Sequence, residues 1–346
     1  MLSYQTTGAG GPLEQIEIDT PVPIGSEVLL RTIACGVCHS DIHLQESFFD
    51  LGDEKKLEVG RSGMVLGHEI FAEVVALGPE VKKVGIGDRR VIYPWIGCDE
   101  CAICLRGDEH LCTPGQPLGN VKDGGFSDYV IIPDEKYLFD KGDISDAAAA
   151  TFACAGLTAY GALKKIGDLI ANEHVVIVGA GGVGMMAIQI AQSVFNLRPI
   201  VVDIDDKKLE EVKKLGVEHT FNAADLSMSK EIVKLTSGGA MAAIDFVGSE
   251  TSFKSANRTL AKGGKIIVVG LFGGKLEMPL PLLPFTARTI IGNYVASLAD
   301  MGELMKLVRE GKIEPIEIEE RPLSAVNEAL SDLKAGKVKG RIVLNT

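Results

Sequence analysis

Apolar positions along the chain fall into two textures. Up to about residue 150 they come as short runs cut by Gly and Pro, at 28–33, 70–77, 90–93 and 127–132. Brief runs bounded by turn residues predict an irregular antiparallel β domain. From residue 174 the rhythm becomes regular. A short apolar run at 174–178 precedes an apolar helical segment at 183–195. Strand-like 199–203 is followed by an amphipathic helix at 207–215, and strand-like 219–222 by helical 227–236. Strand-like 242–247 then leads through helical 251–260 to strand-like 265–270. Such alternation predicts parallel strands joined by crossover helices on both faces of one sheet, an α/β fold. The run 289–294 would close that sheet. Beyond 296 the pattern yields one helix, 301–309, and a terminal strand, 341–344. That tail is too short for a domain of its own and should pack back on the first. The proline cluster 279–284 reads as a connector.

A length of 346 residues suits two domains. With 46% hydrophobic and 24% charged residues, the composition is that of a globular protein with sizeable cores. The net charge of −12 argues against nucleic-acid partners, because an acidic surface releases no counterions from a phosphate backbone. No apolar stretch reaches the roughly 18 residues needed to cross a bilayer, so no membrane partner is expected. The first residues carry no basic stretch followed by an apolar one, so no secretory signal is read and a cytoplasmic setting is expected. In a reducing compartment the seven cysteines point to metal ligands or catalytic groups rather than disulfides.

The first strand of the regular half runs into Gly179, Gly181 and Gly184, a GxGxxG turn that opens a helix. The first Gly permits the tight turn, the second the approach of a pyrophosphate, and the third close helix–strand packing. Gly182 and Val183 lie at the helix N-terminus, whose free N–H groups suit phosphates. Asp203 follows 19 residues after Gly184, at the end of the second strand. A carboxylate there accepts hydrogen bonds from the ribose hydroxyls and repels a 2′-phosphate, which favours NAD over NADP.

Cys98, Cys101, Cys104 and Cys112 have the spacing C-x2-C-x2-C-x7-C, which can close a tetrahedral thiolate shell round a structural zinc. An iron–sulfur cluster or a redox dithiol are the competing readings. Other candidates are scattered: Cys38-His39-Ser40-Asp41 with His43, Gly67-His68-Glu69, and Cys154. Taken singly, His68 reads equally as a core histidine and Cys154 as plain core.

Together these pieces, from Cys35-Gly36-Val37-Cys38-His39-Ser40-Asp41 to Gly340-Arg341, resemble the zinc-containing medium-chain alcohol dehydrogenases over nearly the whole chain. No extra lobe follows Cys112 before Gly124, which resembles the shorter, tetrameric bacterial members. The resemblance implies a GroES-like irregular β catalytic domain over residues 1–154 and 296–346, and a Rossmann NAD-binding domain over 155–295. It implies two zinc ions per chain. Cys38, His68 and Cys154 would hold the catalytic one, leaving a fourth position open. Asp41 would orient His68, and Glu69 would assist ligand exchange. The metal would acidify an alcohol and stabilise its alkoxide, which passes hydride to NAD. Ser40 would take the proton, the nicotinamide ribose relay it, and His43 pass it to solvent. His39 and Arg341 would contact the pyrophosphate, and Thr158 the nicotinamide. The segment 269–272, with Val269 and Leu271, would run past the carboxamide. Trp95 would line the substrate pocket or plug the zinc lobe. Residues 47–63 lengthen the Cys38-to-His68 interval beyond that of simpler members, which leaves the alcohol itself open. A zinc-free enone or quinone reductase and a non-enzymatic NAD sensor are the alternatives. A homo-oligomer is expected, a tetramer before a dimer.

Overall fold

The computed structural model describes residues 1–167 and 173–346. The chain opens with a hairpin of β1 (Leu2–Gln5) and β2 (Glu14–Glu17). β3 (Val28–Gly36) leads into α1 (His39–Glu46). A small hairpin of β4 (Phe48–Asp50) and β5 (Lys56–Glu58) follows, then β6 (Glu69–Leu77). β7 (Arg89–Ile92), β8 (Tyr129–Ile132) and β9 (Leu138–Phe139) complete this part, with the four-cysteine lobe between β7 and β8. α2 (Asp146–Thr151) and α3 (Leu157–Lys164) are joined by one π-helical turn, Phe152–Gly156.

The regular half then runs β10 (His174–Val178), α4 (Gly182–Ser193), β11 (Arg198–Asp203), α5 (Asp206–Lys214), β12 (His219–Asn222) and α6 (Met228–Leu235). It continues with β13 (Ala240–Asp245), α7 (Glu250–Arg258), β14 (Leu260–Val268), α8 (Leu282–Thr286) and β15 (Thr289–Gly292). α9 (Leu298–Arg309), β16 (Ile318–Pro322), α10 (Val326–Lys334) and β17 (Arg341–Asn345) end the chain.

Among the described residues, the strands β12-β11-β10-β13-β14-β15 form one sheet in that order, with every neighbouring pair parallel. The chain works outward from β10 to β12, then returns to place β13 beside β10. A crevice opens at this reversal, at the carboxyl ends of the strands, where doubly wound sheets bind ligands. The strands are apolar on both sides because both faces are covered. Val175, Ile177 and Val201 enter the core shared with the first domain, whereas Val176, Val178, Ile200 and Val202 enter a second core on the opposite face. At the turn between β10 and α4, a Cβ on Gly184 would lie 1.9 Å from the Gly179 carbonyl oxygen, so only glycine permits this approach.

The first domain is built on the sheet path β16-β17-β3-β6-β7-β9, with β8 also paired to β3. β17 runs antiparallel to β3, Val343 opposite Gly36, so the tail does return to the N-terminal domain. Two expectations are corrected here. The tail holds a second helix, α10, whose buried Val326, Ala329 and Leu330 follow helical spacing, and β16 pairs parallel with β17 in an otherwise antiparallel sheet. The proline cluster lies in the connection between β14 and β15, and its last residues enter the short α8. Pro284 sits in the first turn of that helix, where its missing N–H breaks no helical bond.

Candidate active site

Cys38 stands at the start of α1, directly after β3. The fully buried Asp41 accepts the Cys38 N–H at 2.8 Å and the Gly67 N–H at 3.2 Å. The same carboxylate lies 3.2 Å from His68 Nδ1. It therefore ties the start of α1 to the strand entry that carries His68, and it sets which ring nitrogen faces away. That other nitrogen, Nε2, is buried and has no hydrogen-bond partner among the described residues. Cys154 arrives from the π-helical turn, a local widening that recurs at functional sites. Its Sγ is 4.0 Å from Thr158 Oγ1. Ligand atoms of Cys38, His68, Glu69 and Cys154 all lie within 4.8 Å of one another, and all four residues are buried.

Each of these groups is held away from its ordinary pKa. Cys38 is held well below the ordinary thiol range, first by a hydrogen bond with Cys154; burial opposes this and His68 adds to it. Cys154, sharing that bond, is pushed well above its usual value, and burial pushes it further. Burial would depress His68, but the charge and hydrogen bond of Asp41, with Cys38, hold it well above its usual value. Burial raises Glu69, with Arg341 opposing. Arg341 is itself buried and ion-paired with Glu69 Oε1. A Cβ on Gly182 would meet Arg341 Cδ at 2.3 Å, so this side chain runs across the start of α4 and links the cluster to the glycine turn.

Ser40 Oγ lies 3.8 Å from the Cys38 sulfur, and His43 is one turn further along α1, half-buried. Burial lowers the His43 pKa, with Glu46 and Cys38 opposing. His39 is exposed beside them. Trp95 is buried between the His68 and Tyr294 rings, 5.5 Å from each, and donates to the Ala153 carbonyl at 3.3 Å. Tyr294 is a member that sequence reasoning missed; it reaches the cluster from beyond β15, and nothing local to it signals the meeting. Burial pushes its phenol up to about 12.

In the second domain, Gly181 caps α4 without any side-chain hydrogen bond, and the space where its Cβ would stand is open. Val183 follows in the first turn. Asp203, at the end of β11, accepts the Ala180 N–H at 2.7 Å and the Asp205 N–H at 2.9 Å. Its carboxylate thus also braces the glycine turn. The buried Asp245 does the same at the end of β13, accepting from Val247 N–H, Gly248 N–H and Ser252 Oγ. Sequence reasoning passed it over, although an acid ending an apolar run is the signal that singled out Asp203. The Val269 and Gly270 N–H groups donate to the Asp245 carbonyl at 2.9 and 3.0 Å, which fixes the segment that carries Leu271.

The four cysteines of the lobe also converge, with sulfur separations of 3.9 Å for Cys98–Cys104, 3.6 Å for Cys101–Cys104 and 3.9 Å for Cys101–Cys112. A tetrahedral zinc with Zn–S bonds of about 2.3 Å requires thiolates roughly 3.8 Å apart. Backbone N–H groups of Glu100 and Cys101 lower Cys98 to about 7, so a thiolate forms there near neutrality.

Comparison with known proteins agrees with this geometry. Residues 25–143 match the alcohol dehydrogenase GroES-like domain, and residues 182–310 match the zinc-binding dehydrogenase family. An NAD-dependent alcohol dehydrogenase of Sulfurisphaera tokodaii is 38% identical, with 99% of each chain covered. One of Saccharolobus solfataricus is 36% identical over the same shares. Among solved structures, the alcohol dehydrogenase of Aeropyrum pernix superposes with a TM-score of 0.89 at 28% identity, covering 100% of both chains.

Proposed function

The chain belongs to the zinc-containing medium-chain alcohol dehydrogenase family and is an NAD-dependent enzyme, and on that footing we propose how its residues perform the reaction. It interconverts a primary or secondary alcohol with the aldehyde or ketone, reversibly, by hydride exchange with NAD. The observation that carries this reading is the meeting of Cys38, His68 and Cys154, from three distant segments, beside the unpartnered His68 Nε2. Two thiols and an imidazole are a donor set suited to zinc. When bound there, zinc supplies a Lewis acid that makes an alcohol hydroxyl easier to deprotonate.

The rest falls to the chain itself. Asp41 holds the His68 ring in place. Glu69, whose buried Oε2 has no partner among the described residues, stands within the same reach and is assigned to ligand exchange. Ser40 Oγ takes the hydroxyl proton, and His43, on the same face of α1, passes it to water. Trp95, with Thr158, walls the pocket and excludes water. The open start of α4 fits a pyrophosphate, with Gly179, Gly181, Gly182, Val183 and Gly184 around it, and Asp203 fits the adenosine ribose. His39 and Arg341 flank that entry, and Val269 and Leu271 border the nicotinamide. The catalytic domain is made of 1–154, which carries all the metal ligands, and 296–346, which adds Arg341, while 155–295 carries the coenzyme.

A second zinc, held by Cys98, Cys101, Cys104 and Cys112, is structural, because four sulfurs leave no open position. No described helix is long and apolar enough to cross a membrane. The seven free cysteines suit a reducing, cytoplasmic setting. Leu276, Leu280, Leu282, Phe285 and Ile290 are exposed along the segment that ends in the edge strand β15. Apolar exposure beside an unpaired edge supports a homo-oligomer built through this face, a tetramer before a dimer. A panel of alcohols with NAD, read by the absorbance of reduced nicotinamide, tests the activity. Cys38→Ser should abolish turnover; an active Cys38→Ser enzyme would refute the ligand assignment.

A further inference from the structure

The β4–β5 hairpin lies within the stretch that lengthens the Cys38-to-His68 interval, and it does not stay within its own domain. Its backbone touches the loop after β14. The Gly274 N–H donates to the Asp50 carbonyl at 3.2 Å, and Lys275 Nζ lies 2.7 Å from Asp53 Oδ2. Both backbones carry a glycine where they meet. A Cβ on Gly52 would come within 3.0 Å of the Lys275 nitrogen, and one on Gly273 within 2.8 Å of Asp50 Cβ. The two surfaces are therefore shaped to approach each other, and side chains at either position would keep them apart.

Each side of the contact is anchored to one half of the site. On the hairpin, the Phe49 ring packs on His43 with centroids 4.8 Å apart. On the loop, the Phe272 and Gly273 N–H groups bond the Val247 and Gly248 carbonyls at 3.1 Å each. Those two residues are in turn held by Asp245 at the end of β13, in the coenzyme crevice. The contact thus closes a bridge between the domains at the mouth of the cleft. Its ion pair is exposed, with side chains 42% and 56% accessible, so it is weak and sensitive to salt.

We propose that the β4–β5 hairpin is a clasp across the cleft, fastened to the 270–277 loop through Asp50 and Asp53, whose opening governs the release of bound dinucleotide. This rests on the coenzyme site proposed above.

The test is stopped-flow displacement of NADH from the zinc-loaded enzyme, followed by NADH fluorescence, at low and high KCl. Asp53→Ala and Lys275→Ala should each speed NADH release about two- to five-fold, the range an exposed ion pair supports. The double variant should release no faster than Lys275→Ala alone, because both substitutions remove the Asp53–Lys275 pair; the other Lys275 pair, with Glu277 at 2.6 Å, lies within the loop itself. High KCl should speed release from the unmodified enzyme and leave the variants nearly unchanged. Arg31→Ala, which removes a surface pair in the other sheet, should leave release unaltered. Replacing residues 51–55 by Asn-Gly should speed release further than either point variant, because it also removes the Gly52 contact. Unaltered release in both single variants, additive effects, or equal salt response in all forms would overturn the clasp while leaving the coenzyme site intact. Failure of the unmodified enzyme to bind NADH would instead overturn the coenzyme site.

Discussion

Asp41 shows how one side chain can organise a centre. It accepts backbone N–H groups from Cys38 and Gly67 and faces His68 Nδ1, so three segments are set by a single carboxylate. Asp41→Asn keeps the shape but removes the charge that favours the correct His68 orientation. Zinc affinity should fall about 10- to 100-fold, measured by competition with a chromogenic chelator. His43 offers a pH test. Its pKa is lowered from 6.5, first by burial, so the ring is neutral at neutral pH and ready to take a proton. Alcohol oxidation should therefore fall on acidification, along a limb that lies below pH 6.5. His43→Gln should lose that limb and slow turnover at neutral pH by about tenfold or more, read from kcat against pH. Asp203→Gly should lower kcat/KM for NAD by about tenfold while sparing NADP, because the carboxylate repels only a 2′-phosphate. An unchanged NAD-to-NADP ratio would remove Asp203 from the coenzyme site.

At the scale of elements, the parallel sheet was legible in the chain almost strand by strand. β10 and β12 span the same residues that apolar runs predicted, and α4, α5, α6 and α7 lie within two residues of the predicted helices at most ends. Two helical regions near the metal cluster were not legible. α1 mixes its polar and apolar positions, burying Asp41 with Ile42 and Leu44, so no amphipathic period announces it. α2, the π-helical turn and α3 are buried on nearly every side, which leaves no polar face to mark a helix. The glycine turn yields a packing prediction. Gly184→Ala forces a methyl against the Gly179 carbonyl, which pushes α4 off β10. Stability should drop by about 1–3 kcal/mol, and the KM for NAD should rise, measured by thermal unfolding and initial rates.

For the whole molecule, the proposed metals and the proposed oligomer would both add to stability. The four-cysteine lobe has little regular structure beyond two single 3₁₀ turns, so its shape depends on the ion that its sulfurs would surround. Native mass spectrometry should find two zinc ions per chain. Cys104→Ser should retain one zinc and its turnover, yet lower the melting temperature by roughly 5–10 °C, the scale of a few kcal/mol of lost metal linkage. Sedimentation should show a multimer. Phe285→Glu, which places a charge on the exposed apolar face by β15, should dissociate it.

Periodicity and spacing alone settled the parallel sheet, the glycine turn and the four-cysteine lobe, because each is written within a short stretch where neighbours in sequence are neighbours in space. The catalytic cluster is different in kind. Cys38, His68 and Cys154 lie in separate elements, and only the pairing of β3 with β6 and the docking of the π-helical turn bring their ligand atoms together. No local pattern encodes that meeting, so resemblance alone pointed to it in the sequence. Tyr294, the Glu69–Arg341 pair and the hairpin contact with Lys275 each join residues more than 190 positions apart, and only the tertiary fold could decide them.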